Sequence, residues 1–249
     1  MCTLVLAYQP EADWPLILGA NRDEMASRLS LPPGRHWPDR PHVLGGKDLE
    51  AGGTWLGLGN QGLVAGILNR PDSLGPLPNK RSRGELVLMA LDYEDSRTAV
   101  KALAQLDGRA YRPFNMAIVD NHGAFWLRSL GNKVVEYWPL PPGISLITAY
   151  DRNDLKSLRI RMYLPLFEQA QLPEPERDRW ETWEALLSSH EFDNKAGPTS
   201  AMSIVDEGGF GTVSSALIAL PSASQASGPP LFRFANGRPD KTAFENIVI

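Results

Sequence analysis

The stretch Met1–Glu24, MCTLVLAYQPEADWPLILGANRDE, contains two short apolar runs separated by a polar segment. Thr3–Tyr8 and Trp14–Ala20 consist mostly of apolar and β-forming residues, and residues 9–13 between them have the composition of a turn. This pattern predicts an antiparallel β-hairpin. Directly after its second strand come four polar residues, Asn21-Arg22-Asp23-Glu24.

In such a hairpin the end of the second strand lies beside the start of the first, so Asp23 can approach Cys2. The ordinary pKa values of a cysteine thiol, about 8.5, and of an α-amino group, about 7.7–8.0, are close together. If Met1 is removed, Cys2 carries both a nucleophile and a base. Arg22 can lower the pKa of the thiol or hold an anionic group. The alternatives are that Cys2 is a small apolar residue beside a strand and that Arg22 and Asp23 belong to a solvated turn.

A third motif lies at residues 52–57, Gly-Gly-Thr-Trp-Leu-Gly, and a hairpin that follows it ends at Asn69-Arg70. Glycines allow close approach of two backbone segments. The side-chain amide of Asn69, at the end of a strand, can donate a hydrogen bond into an oxyanion hole. The alternative is an ordinary glycine-containing hairpin in which Asn69 only ends a strand.

The composition of the 249-residue chain excludes several classes of protein. A net charge of −4 argues against nucleic-acid binding, and no apolar run reaches the roughly 18 residues of a membrane span. The first apolar run lacks the basic flank of a secretory signal, so a cytoplasmic protein is predicted. One cysteine excludes an intrachain disulfide, and the four histidines lack metal-ligand spacing, so no metal site is expected. The expected partner is a small-molecule ligand or substrate, and the oligomeric state is open.

Helical spacing predicts four helices, at 84–91, 96–106, 154–170 and 177–189. Ser82 is expected to cap the first of them. The third is expected to be kinked or ended by Pro165 and to bury one face, which carries Leu155, Leu158, Met162 and Leu166.

Further apolar runs bounded by turn residues predict strands at 55–58, 63–68, 114–119, 124–130, 133–137, 144–149, 201–205, 212–220, 231–234 and 247–249. The proline-rich stretch Leu31–Pro41 predicts a loop. Strands cluster along the chain and strict βαβ alternation is absent, which favours two antiparallel sheets flanked by helices. The expected fold is therefore α+β, in one domain over residues 1–249.

The combination of Met1-Cys2-Thr3, the string Ala20–Glu24, Gly52–Gly57 with Asn69-Arg70, and the late Gly211–Ala216 resembles the NRDE family. This family includes the eukaryotic transport and Golgi organisation proteins. It is in turn similar to the cysteine N-terminal-nucleophile hydrolases, which include bile salt hydrolases and penicillin V acylases. The resemblance implies a four-layer αββα sandwich and hydrolysis of a non-peptide amide bond.

By the same resemblance, Cys2 is the nucleophile, Asp23 is the partner of its amino group, and Asn69 is an oxyanion-hole donor. The acylases carry an arginine three positions before the aspartate, where this chain has Ala20, and Arg22 is the candidate substitute. Their second asparagine has a candidate counterpart within residues 147–154, at Asn153.

The residues expected to contact the substrate are Asn21, Trp55, Arg70 and Asn153. The hydrolase hypothesis requires no cofactor. A second hypothesis gives the same fold a binding or trafficking role, with haem or an acyl- or lipid-type ligand in the cleft. Under that hypothesis Cys2 is a thiolate ligand or a structural residue.

Overall fold

The computed structural model describes residues 2–205, 208–223 and 228–249. Within these residues the strands are β1 (Thr3–Tyr8), β2 (Leu16–Met25), β3 (Ser30–Gly34), β4 (Val43–Asp48), β5 (Leu56–Gly59), β6 (Val64–Asn69), β7 (Phe114–Val119), β8 (Ala124–Ser129), β9 (Val135–Pro139), β10 (Gly143–Ile147), β11 (Phe210–Leu220), β12 (Leu231–Ala235) and β13 (Glu245–Asn246). The α-helices are α1 (Gly84–Leu91), α2 (Ser96–Leu103), α3 (Leu158–Gln169) and α4 (Glu181–Leu187).

The strands form two antiparallel sheets, each within one compact unit of the chain. The first unit comprises residues 1–27 and 142–249 and holds a six-stranded sheet in the order β10-β1-β2-β11-β12-β13. The second comprises residues 28–141 and holds a seven-stranded sheet in the order β3-β4-β5-β6-β7-β8-β9. The expectation of two antiparallel sheets is therefore confirmed, and the single domain over 1–249 stays a prediction.

The hairpin of β1 and β2 is present, with Thr3 opposite Asn21 and Tyr8 opposite Leu16. Strand β2 is longer than expected, because β11 pairs with it from Leu16 as far as Met25. The four polar residues that were expected to follow the strand lie inside it. Three of them, Asn21, Arg22 and Asp23, are buried.

Helix α3 buries a different face from the expected one. Its buried residues are Arg159, Ile160, Tyr163, Leu164 and Phe167, whereas Leu155, which precedes the helix, and Leu166 are 57% and 42% exposed. The observed face has the same three-and-four spacing as the expected one, so periodicity alone did not distinguish them. Pro165 lies inside the helix and does not end it, and the side chain of Ser157 accepts a hydrogen bond from the Ile160 N–H at the N-cap.

Several other expectations were wrong in detail. The stretch Leu31–Pro41 includes most of β3, which tolerates Pro32 and Pro33 because it is an edge strand. Residues 201–205 form no strand, and the last strand is Glu245–Asn246 instead of 247–249. Helix α1 has Arg83, and not Ser82, at its N-cap.

In the second unit, α1 and α2 pack on one face of the seven-stranded sheet and share its apolar core. Gly53 is required by this packing, because its backbone lies against the first turn of α1. A Cβ at Gly53 would lie 2.5 Å from the carbonyl carbon of Gly84 and 2.8 Å from its oxygen. A Cβ at Gly59, in the same sheet, would make only ordinary contacts, the nearest at 3.6 Å to the carbonyl oxygen of Leu63.

We therefore expect Gly53→Ala to lower the free energy of unfolding by about 2 kcal/mol, since backbone atoms cannot give way as a flexible side chain can. Gly59→Ala is the matched control and should change it by less than about 1 kcal/mol. Urea denaturation measures both. Equal effects of the two substitutions would contradict this account of the glycine motif.

Candidate functional site

Cys2 directly precedes β1, and the register of the hairpin places it opposite Arg22. Thr3 pairs with Asn21, so the next position outward on each strand brings Cys2 and Arg22 together. The thiol of Cys2 donates a hydrogen bond to the main-chain carbonyl of Asp23, with 3.5 Å between Sγ and the oxygen. The structure thus brings together Cys2, Arg22 and Asp23.

The surroundings of Cys2 disfavour a thiolate. Burial is the largest influence and raises the pKa of the thiol above its ordinary value. The negative charge of Asp23 raises the pKa further, and the positive charge of Arg22 lowers it by a smaller amount. The thiol is therefore protonated at neutral pH unless a base lies next to it.

The carboxylate of Asp23 is held at both oxygens. Its Oδ2 accepts a hydrogen bond from Nη1 of Arg159 at 2.8 Å, and its Oδ1 accepts one from the hydroxyl of Thr212 at 2.7 Å. The side chains of Asp23 and Arg159 are 0% and 4% exposed. This is a buried ion pair with its carboxylate hydrogen-bonded on both sides.

Arg159 comes from α3 and contacts more than the carboxylate. Its Nη1 also donates to the hydroxyl of Thr3 at 2.7 Å, and its Nη2 donates to the main-chain carbonyl of Thr199 at 3.0 Å. Arg159 was not predicted as a site residue, because the face of α3 that carries it was expected to be exposed. The helical spacing of the apolar residues Ile160 and Tyr163 indicates the face that is buried, and Arg159 lies on that same face.

Asn21 has a structural role. The residue is 1% exposed, and its amide nitrogen donates to the carbonyls of Leu187 at 2.8 Å and Met202 at 2.9 Å. Its amide oxygen accepts from the hydroxyl of Ser215 at 2.6 Å. Both N–H donors are engaged by protein carbonyls, so this side chain has none left for the substrate contact expected of it.

Asn69, Arg70 and Trp55 lie in the second unit. Asn69 ends β6 opposite Phe114, and Arg70 donates to the amide oxygen of Asn115 at 2.7 Å. The ring of Trp55 covers the Cα of Gly46 and fills the space that a Cβ would take there. The expected roles of these three residues toward the substrate and the oxyanion stay predictions.

Asn153 lies in the left-handed region, with φ 55°, just beyond β10. Its amide oxygen accepts from the Leu146 N–H at 2.7 Å, and its amide nitrogen donates to the Ile144 carbonyl at 3.2 Å. These bonds fix the backbone of β10. They give Asn153 a structural role, and the expected substrate contact stays a prediction.

Among residues 2–205, 208–223 and 228–249, no group of three or more His, Cys, Asp or Glu side chains could hold a metal ion. In the same residues, no helix has the length and apolar character needed to cross a membrane.

Comparison with known families and proteins gives two kinds of match. The family model described as Transport and Golgi organisation 2 matches residues 1–225. The Transport and Golgi organization 2 homolog of Mus musculus is 35% identical over 130 residues, which cover 48% of this chain and 45% of that protein. The Homo sapiens homolog gives the same identity and coverage. The match thus spans less than half the length of these curated relatives.

Two solved structures share the fold. The Caenorhabditis elegans ortholog of N-acylethanolamine-hydrolyzing acid amidase has a TM-score of 0.54 at 15% identity, covering 87% of this chain and 92% of that one. The C2A mutant of conjugated bile acid hydrolase from Clostridium perfringens has a TM-score of 0.51 at 11% identity, covering 100% and 97%. These likenesses show the N-terminal-nucleophile hydrolase fold and confirm the expected αββα class.

Replacing Asp23 by Asn should destabilise the protein strongly, because the guanidinium of Arg159 stays buried without its counter-charge. We expect Asp23→Asn to lower the free energy of unfolding by about 3–5 kcal/mol. Asp193→Asn is the matched control, since Asp193 pairs with Arg161 on the outer side of α3, where both side chains are accessible to water. The control should change stability little. A small effect of Asp23→Asn in chemical denaturation would contradict the buried ion pair.

Proposed function

The chain belongs to the Transport and Golgi organisation 2 family and has the N-terminal-nucleophile hydrolase fold; from this premise we propose that it hydrolyses non-peptide amide bonds with Cys2 as nucleophile. One observation carries the proposal. The thiol of Cys2 lies against the main chain of Asp23, whose carboxylate is buried and held in place. The proposed nucleophile therefore lies at the start of β1, next to the main chain of the residue that carries the buried carboxylate.

The reaction requires removal of Met1, which frees the α-amine of Cys2. The amine takes the proton of the thiol, directly or through a water molecule, and the sulfur attacks the amide carbonyl carbon. When the tetrahedral intermediate collapses, the C–N bond breaks and the ammonium returns the proton to the leaving nitrogen. Water then attacks the thioester with the amine as base. The carboxylic acid leaves, and the thiol is restored.

The charges around Cys2 suit this sequence of steps. The carboxylate of Asp23 favours the ammonium form of the α-amine that appears when the thiol loses its proton. Arg22, opposite Cys2, favours the thiolate, and its effect on the pKa of the thiol has the required sign. Asn69 stays the proposed oxyanion donor, a role in which one such donor contributes about 3 kcal/mol to transition-state stabilisation.

The free amine is the group on which the thiolate depends. With Met1 attached, the nitrogen of Cys2 belongs to a peptide bond and cannot act as a base. Burial and the charge of Asp23 then keep the pKa of the thiol above its ordinary value. Removal of Met1 is therefore part of the proposal.

The second hypothesis is that the same fold carries haem or an acyl- or lipid-type ligand. Haem binding through Cys2 fits the surroundings of this residue less well than the hydrolase proposal does. A cysteine binds a metal as thiolate, and the buried site beside Asp23 raises the pKa of this thiol. The surroundings of Cys2 therefore do not fit a thiolate-bound haem. A carrier of an acyl- or lipid-type ligand remains the rival outcome if no amide bond is cleaved.

We expect Cys2→Ala to abolish turnover, because no other group of the proposed mechanism can form the thioester. The assay is release of free amine from a panel of N-acyl amides by protein that has lost Met1. Alanine also permits removal of Met1, so the variant differs from the wild type only in the thiol. Cleavage by Cys2→Ala at the wild-type rate would overturn the proposal.

A further inference from the structure

The guanidinium of Arg159 contacts the residues on both sides of the nucleophile. Thr3 follows Cys2 in the chain, and Asp23 supplies the carbonyl that accepts the thiol hydrogen bond. We propose that Arg159 is the positioning residue of the Cys2 site, fixing the place and the charge surroundings of the thiol through Thr3 and Asp23. This inference deepens the proposed function, and its role in catalysis rests on that function.

The geometry of the guanidinium suits this task. Nη1 is shared between the hydroxyl of Thr3 at 2.7 Å and the carboxylate of Asp23 at 2.8 Å, and Nη2 reaches the carbonyl of Thr199 at 3.0 Å. A planar guanidinium holds such acceptors in fixed directions, which a lysine ammonium on a flexible stem does not. Arg159 thereby joins α3 to β1, to β2 and to the short helical turn Pro198–Ser200.

The position of the thiol follows from how Asp23 is held. Its second oxygen is bound by Thr212 of β11, whose hydroxyl also accepts from the Ile204 N–H at 2.8 Å. With both carboxylate oxygens fixed, the main chain of Asp23 is fixed as well, including the carbonyl that faces Sγ of Cys2. Loss of Arg159 removes the hydrogen bond to Oδ2 of Asp23 and leaves the one that Thr212 donates to Oδ1.

The charge around the thiol follows from the same pair. The charged groups that act on Cys2 include Asp23, which raises the pKa of its thiol, and the terminal amine and Arg22, which lower it; Arg159 of α3 pairs with the carboxylate of Asp23. Asp23 raises the pKa of the thiol, and Arg159 offsets that negative charge. Removing Arg159 leaves the carboxylate uncompensated, so the pKa of the thiol should rise. Removing both charges should return it to the wild-type value or below.

The test is the pH dependence of Cys2 alkylation by iodoacetamide, followed by intact mass. Cys2 is the only cysteine of the chain, so each added group reports this thiol. The pH at which alkylation of Cys2 is half-maximal should rise by about one pH unit in Arg159→Met and by less in Arg159→Lys. In the double variant Arg159→Met with Asp23→Asn, this midpoint should return to the wild-type value or below. Arg161→Met, on the exposed side of the same helix, is the control and should match the wild type.

Thermal unfolding of the same samples shows which variants are folded. A folded Arg159→Met protein with the wild-type midpoint overturns the inference. If Arg159→Met does not fold, Arg159→Gln, which also removes the positive charge, decides, and an unshifted midpoint in that folded variant overturns the inference as well. Alkylation needs no substrate, so a shifted midpoint without any amide cleavage contradicts only the proposed hydrolase. An unshifted midpoint with cleavage that requires Cys2 contradicts only the role of Arg159.

Discussion

The ion pair between Asp23 and Arg159 is the interaction on which the arrangement around Cys2 depends. Burying two charges is costly unless each is paired and hydrogen-bonded. Here the carboxylate has Thr212 as its second partner, and the guanidinium has Thr3 and the carbonyl of Thr199. Because these partners come from β1, β11 and the segment after α4, the pair forms only when all of them are in place.

Burial also determines which reactions Cys2 can take part in, because it raises the pKa of the thiol. A thiol in this position is a weak acid, since desolvation and the nearby carboxylate both disfavour its anion. A base therefore has to sit on the thiol's own residue or touch it. In the proposed mechanism, the α-amine that Met1 removal exposes is this base, and the carboxylate of Asp23 favours its charged form.

The sequence was sufficient to predict structure formed by residues close together in the chain. Two apolar runs and a turn predicted the first hairpin, and its antiparallel pairing predicted that Asp23 approaches Cys2; in the structure the thiol of Cys2 contacts the main-chain carbonyl of Asp23. The pairing of Arg159 with Asp23 could not be predicted in this way, because 136 positions separate the two residues and only tertiary packing joins them. Strand β4 was missed because Gly45 and Gly46 lie in its centre and weaken the strand pattern.

The amide side chains of Asn21 and Asn153 bond to main-chain groups of the protein itself. Asn21 was expected to contact the substrate because it lies next to Arg22 and Asp23. In the structure it is buried in β2, which pairs with β11, and its amide nitrogen donates to the carbonyls of Leu187 and Met202. Asn153 likewise serves the backbone of β10. Amide side chains bond equally well to ligands and to orphaned backbone groups, and only the tertiary neighbours show which partner is present.

The free α-amine of Cys2 is the group without which the proposed chemistry has no base. The intact mass of the protein, produced without an N-terminal tag, measures its presence directly. We predict a mass lighter than that of the full 249-residue chain by one methionine residue. A mass that retains Met1 would contradict the nucleophile assignment, because the thiol would then lie beside a peptide nitrogen with its pKa raised.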